Sequence, residues 1–316
     1  MELSAAGLAR SIAAGEVSAG EVLEAVIARI DDVDARTRAV AQRRFEAARN
    51  EAAEADQAIA RGDDIGPLHG VPVTVKECLE VSGLPATFGI AARSGTVAAI
   101  DDPHVARLRA AGAIVVATTN VAQLLAFAET DNPVYGRTNN PWDPDRSCGG
   151  SSGGEGALVG AGASPLGFGT DIGGSVRIPA AWCGAVGFKP SPGRCPDVGR
   201  YSFDLDSPIA SQVGVLGPAV ADVALGFGVI SGGSQSTARR AERLTVGVAL
   251  DDGVFAASPA VRRGCWTHSV STRSRAAHVC STRRTTPLDS RRSAPRSTNS
   301  ARTLRLRCNS ATSMSC

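Results

Sequence analysis

The sequence predicts an α/β protein: a mixed, mostly parallel, twisted sheet flanked by helices. Three observations point there. The first sixty residues are helical in period, and from Ile65 onward helices, short turns and apolar strand-length runs alternate. At 316 residues and 43% apolar content, the chain can also bury one large or two ordinary cores.

The elements follow in order. Val22, Leu23, Val26, Ile27, Ile30 and Val33 make one apolar stripe behind Ser18, a capping residue, so a helix is expected there. A second helix, rich in Ala, Glu and Arg, is expected from about Arg43 to Arg61, closed by Gly62. Residues 1–64 therefore read as a helical segment packing on a core. Past Gly66-Pro67, Val71, Val73 and Val75 alternate with Pro72, Thr74 and Lys76, the period of a strand. Asp102-Pro103 opens a helix carrying Val105 and Leu108, Gly112 ends it, and Ala113–Ala117 follows as a buried strand. Asn132–Ser147 is turn-rich, and the stretch from there to Pro190 holds 13 of the 35 glycines. Leu244–Leu250 is the last strand-like run, so the core is assigned to residues 65–262.

Beyond that point the composition changes. Residues 264–316 contain 10 Arg, no Lys, one acidic residue (Asp289) and 19 Ser or Thr. Such a segment cannot bury enough apolar surface to offset its ordering entropy, so 263–316 is expected to be a disordered basic tail. A basic tail binding acidic partners and an ordinary disordered tail are two readings. The third, favoured here, is out-of-frame translation of a GC-rich gene, which translation of the other two frames would test.

The chain as a whole carries a net charge of +2, which argues against a basic nucleic-acid surface. The longest apolar stretches are interrupted by Pro165, Gln212 and Asp222, so no membrane span is expected, nor is a secretory signal with Glu2 at the start. The expected compartment is the cytoplasm. The eight cysteines are scattered singly and match no zinc spacing, so reduced thiols and no metal or cofactor are expected.

Two features bear on chemistry. Only Lys76 and Lys189 are lysines, against 31 arginines, and a Lys in an apolar strand can lose its proton where Arg cannot. Lys76 could serve as a base, or pair with Glu77 or Glu80. The second feature is Gly149-Gly150-Ser151-Ser152-Gly153-Gly154, followed by Gly169-Thr170-Asp171-Ile172-Gly173-Gly174-Ser175. Glycines beside serines let backbone N–H groups face a ligand, so phosphate cradling, oxyanion holding and tight packing all fit. The Walker Gly-Lys-Ser/Thr ending is absent. His69 and His104 lack the context of a Ser-His-Asp triad, which leaves a Ser–Lys arrangement.

These motifs, with Gly70–Glu77, Glu155-Gly156-Ala157-Leu158 and Val176-Arg177-Ile178-Pro179-Ala180, closely resemble the amidase signature family. Lys76-Glu77-Cys78, Glu155 and Ser164-Pro165-Leu166 look most like its fatty acid amide hydrolase branch. The resemblance implies the amidase signature fold and hydrolysis of a small-molecule amide. It makes Ser175 the nucleophile, Ser151 the bridging serine after a cis peptide bond, and Lys76 the base. It further implies that N–H groups of Ile172, Gly173, Gly174 and Ser175 hold the oxyanion. Ser152, Thr170, Asp171 and Arg177 would support the loops, an ordinary ion pair being the alternative for the last two. Leu125 would line an acyl pocket, or be a core leucine. Cys148 stands where the family usually has proline. Family members continue well beyond residue 263, so an open sheet edge, an incomplete C-terminal part of the fold and impaired activity are expected. A component of a glutamine-dependent tRNA amidotransferase and an inactive product are the alternatives. Oligomeric state is left open, a homodimer included.

Overall fold

The computed structural model describes residues 4–195, 211–233, 243–247, 258–259 and 303–307. Two compact units divide the chain, Met1–Gln235 and Ser236–Cys316.

The first unit opens with α1 (Ala5–Ala13), within the segment read as helical though without bounds of its own there. Its N-terminus is held from far along the chain: Ser4 Oγ and the Ala6 N–H both donate to Asp222 Oδ1, at 2.8 and 2.9 Å. In α2 (Ala19–Thr37), Ser18 and Glu21 form the reciprocal capping box that the Ser18 position suggests. The stripe from Val22 to Val33 is buried. A short strand, β1 (Val40–Arg43), precedes α3 (Phe45–Arg61), and Gly62 closes α3 in the left-handed region, as expected.

The sheet has six strands in the order β1-β3-β2-β4-β6-β5. Its centre is β2 (Pro72–Lys76), flanked by β3 (Ile114–Thr119) and β4 (Gly167–Asp171), both parallel to it. The remaining strands are β5 (Val186–Phe188) and β6 (Gln212–Gly217). Neighbours β1/β3, β4/β6 and β5/β6 are antiparallel, so four strands run one way and two the other. Every residue of β2, β3, β4 and β6 is buried. The alternation read in Val71–Lys76 is therefore not a division between core and solvent: a central strand is covered on both faces.

Helix α4 (Pro103–Ala110) begins at Asp102, whose carboxylate accepts the His104 N–H at 2.8 Å. Helices α5 (Gly153–Gly160), α6 (Arg177–Cys183) and α7 (Val220–Ile230) complete the unit. Among the described residues no helix is long and apolar enough to cross a membrane. The four described cysteines are free and buried.

In the second unit, β7 (Arg243–Gly247) pairs antiparallel with β8 (Thr303–Arg307). Most of the segment expected to be disordered lies outside the described residues. At 303–307 the chain is instead extended and paired: Leu304 and Leu306 alternate with Arg305 and Arg307, a strand period that the composition of the tail obscured.

Candidate active site

Because β2 and β4 are parallel neighbours, their C-terminal ends lie on the same edge of the sheet. Lys76 ends one strand, and Thr170 and Asp171 end the other. The loop before α5 brings Ser151 to this edge, through a cis Gly150–Ser151 peptide. Lys76 Nζ donates to Ser151 Oγ at 2.7 Å and to Thr170 Oγ1 at 2.9 Å, with the Thr170 carbonyl at 3.5 Å.

Lys76 is wholly buried. Loss of hydration pushes the pKa of its amine down, against the pull of Cys78, Asp171, Glu155 and Glu77. The Cys78 thiol is itself pushed up to about 12 by burial, so it competes neither as base nor as nucleophile near neutral pH. Glu77 is turned away from pairing with the amine: its carboxylate accepts the N–H groups of Thr87 and Phe88 and the Tyr135 hydroxyl.

Asp171 organises the second loop. Its carboxylate accepts the N–H of Gly174 (2.7 Å), Val176 (3.0 Å) and Arg177 (3.3 Å), and both Nε and a terminal nitrogen of the Arg177 guanidinium. Burial alone would raise its pKa, but the Arg177 fork and these N–H groups outweigh that and hold it at about 2. The Gly174 N–H is thereby committed, which removes it from the expected oxyanion donors. The N–H groups of Ile172, Gly173 and Ser175 have no partner among the described residues.

Ser152 joins the two loops. Its N–H donates to the Ser175 carbonyl at 3.1 Å, and its hydroxyl reaches the Thr170 carbonyl at 3.4 Å. Ser175 is half-buried, and its hydroxyl makes no hydrogen bond among the described residues, so the Lys76–Ser151 link stops short of it. The C-terminal end of α6 is tied down by Trp142 Nε1, which donates to the Cys183 carbonyl at 2.6 Å, and by Asn140, which donates to the Trp182 carbonyl at 3.1 Å.

Leu125 packs against the core, while Leu124 and Phe127 beside it are exposed. A cleft of about 420 Å³ lined by Phe127, Ala128, Glu129, Asp131, Ser147 and Trp182 contains none of Lys76, Ser151 and Ser175. The site is therefore defined by side-chain geometry rather than by that hollow. His104 pairs with Asp102 at 2.9 Å, both are wholly buried, and the other ring nitrogen of His104 has no partner among the described residues. Among the described residues, no group of three or more His, Cys, Asp or Glu could hold a metal ion.

A family model described as Amidase matches residues 21–270, so the match takes in most of the N-terminal helices as well as the sheet. Fatty-acid amide hydrolase 2-A of Danio rerio is 46% identical over 206 residues, 63% of this chain and 39% of its own length. A component of the glutamyl-tRNA(Gln) amidotransferase of Streptomyces avermitilis is 38% identical over 232 residues, 73% of this chain and 46% of its own. The structure of 6-aminohexanoate cyclic dimer hydrolase superposes with a TM-score of 0.73 at 34% identity, covering 84% of this chain and 59% of that one. The chain spans less than half the length of these curated relatives.

Proposed function

The chain belongs to the amidase family, and on that premise we propose that it hydrolyses a carboxylic amide to acid and ammonia or amine through a seryl acyl-enzyme. The observation that carries the proposal is the wholly buried Lys76 amine 2.7 Å from the Ser151 hydroxyl. A neutral amine has two N–H groups and one lone pair. With the hydroxyl and carbonyl of Thr170 accepting the N–H groups, the lone pair is left for the Ser151 proton.

Ser151 then draws the proton of Ser175, whose Oγ attacks the amide carbonyl. Rotation of the free Ser175 hydroxyl toward Ser151 completes this relay when substrate binds, since catalytic hydrogen bonds tighten in the substrate complex. The unpartnered N–H groups of Ile172, Gly173 and Ser175 receive the developing oxyanion, and one such donor is worth about 3–4 kcal/mol in the transition state. The proton returns through Ser151 to the leaving amine, and water releases the acid.

Labelling with a fluorophosphonate probe tests the scheme. The chain should be labelled and Ser175→Ala should not; equal labelling of both would remove Ser175 as nucleophile. Turnover should rise with pH as Lys76 loses its proton, and a flat profile from mild acid to alkali would remove Lys76 as base.

The similarity to an amidotransferase component supports a second reading, in which the same chemistry serves a complex acting on glutamine and charged tRNA. Stable co-purification with partner proteins, and ammonia release only in their presence, would favour it over a free hydrolase.

A further inference from the structure

Glu155 takes no part in the scheme above. It lies in the first turn of α5, four residues past Ser151, and its side chain is wholly buried. Thr74 Oγ1, from β2, donates to its Oε2 at 2.6 Å, and Thr119 Oγ1, from β3, donates to its Oε1 at 2.8 Å. Strand β4 makes room for the same carboxyl: a Cβ on Gly167 would sit 2.1 Å from Oε2. One carboxyl is thus seated against three adjacent strands, two of which carry Lys76 and Thr170.

Its position relative to the amine follows from the strand period. Thr74 and Lys76 are two residues apart on β2, so their side chains share a face and stand about 7 Å apart along it. Thr119 is the register partner of Lys76 on β3. The carboxyl and the amine therefore occupy one face of one strand pair, with no solvent to screen them. There a carboxylate favours the ammonium form of Lys76, and a neutral carboxyl does not.

Other charges bear on Lys76 as well: Glu77 and Cys78 just past it in the chain, and Asp171 from β4. Cys78 stays a thiol, Glu77 is held by Thr87, Phe88 and Tyr135, and Asp171 is engaged with Arg177. Glu155 differs from these. Burial lifts its pKa to about 8, against the two threonine hydrogen bonds and the attraction of Lys76, so the carboxyl holds its proton further up the pH scale than an exposed glutamate does.

We infer that Glu155 is a positioning residue for the proposed base: it locks β2, β3 and β4 so that Lys76 meets Ser151, and its protonation state governs whether the Lys76 amine is free to accept a proton. The inference rests on the reading of Lys76 as base.

The test uses the scarcity of lysine. Lys76 and Lys189 are the only two lysines, so lysine labelled with ¹³C at Cε gives two side-chain resonances in the full chain, and Lys189→Arg assigns them. In the unaltered chain the Lys76 resonance should titrate in two steps, because two coupled groups share the curve. Glu155→Gln should leave a single step and move the Lys76 midpoint toward acid by roughly one pH unit, tenfold in proton affinity, with Lys189 unmoved. An unmoved midpoint in Glu155→Gln overturns the inference. Should that variant not fold, a one-step Lys76 curve in the unaltered chain overturns it instead. The reading of Lys76 as base fails separately, when Lys76→Met retains the turnover of the unaltered chain.

Discussion

The two serine-bearing loops are built in opposite ways. Residues 148–159, the Ser151 loop and the α5 helix that it runs into, are buried without a break. In the loop from Ile172 to Ser175, Ile172 is 50% exposed, Gly173 is exposed and Ser175 is half-buried. The sealed loop holds a serine against a dehydrated amine, a contact that water would weaken. The open loop offers unpaired N–H groups and a hydroxyl that a substrate can reach. In the proposed scheme, proton transfer and substrate contact therefore fall at different depths of the molecule, joined by the Ser152 N–H to Ser175 carbonyl bond.

The largest effect should come from the sealed side. Lys76→Met should lower kcat/KM at least about a hundredfold, the usual contribution of a general base, in steady-state assays on a hydrolysable amide. A loss below about tenfold would place the base elsewhere.

Next comes packing. A methyl group on Gly154 would meet the Ala39 carbonyl oxygen at 2.5 Å and the Asn120 nitrogen at 2.6 Å, both backbone atoms that cannot swing aside. Gly154→Ala should cost about 1–3 kcal/mol in denaturant unfolding, and unchanged stability would show that the sealed loop is less tightly built than these distances imply.

A smaller and pH-dependent effect belongs to the open loop. Asp171, held at about 2 against an ordinary 3.8, lends stability that is fully present above about pH 4 and is lost as pH falls toward 2. Asp171→Asn should therefore melt lower than the unaltered chain at neutral pH, and the gap should narrow between pH 4 and 2. A gap independent of pH would mean that the charge of Asp171 does not hold the loop.

The smallest effect sharpens the contrast. A methyl on Gly173 meets nothing within 4 Å, so Gly173→Ala should change stability by less than about 0.5 kcal/mol. A Gly173→Ala cost matching that of Gly154→Ala would erase the distinction between the loops.

Local signals made much of the fold legible. Ser18, Gly62, and Asp102 before Pro103 mark helix ends through contacts within a few residues, and each end lies where its chemistry puts it. What escaped depends on distant partners. The anchoring of α1 by Asp222, more than two hundred residues away, is one such feature, and β1, with only four residues, none of them fully buried, is another. The site divides in the same way. Lys76 stood out by its rarity and its apolar strand, and the glycine–serine motifs by their order. The commitment of the Gly174 N–H to Asp171 was hidden because a motif gives residue order, not which donor the carboxylate takes. Glu155 was visible as a letter, but its burial depends on Thr74 and Thr119 from two strands far off in sequence.

Trp142, whose indole braces the end of the helix that follows Ser175, and Trp182, which lies on that helix, are 69% and 50% exposed and are two of the three tryptophans in the chain. That helix consequently carries its own optical label. Emission and iodide quenching report on its seating, and a change in either on adding a candidate amide would show, without any attached dye, that the helix responds to that compound.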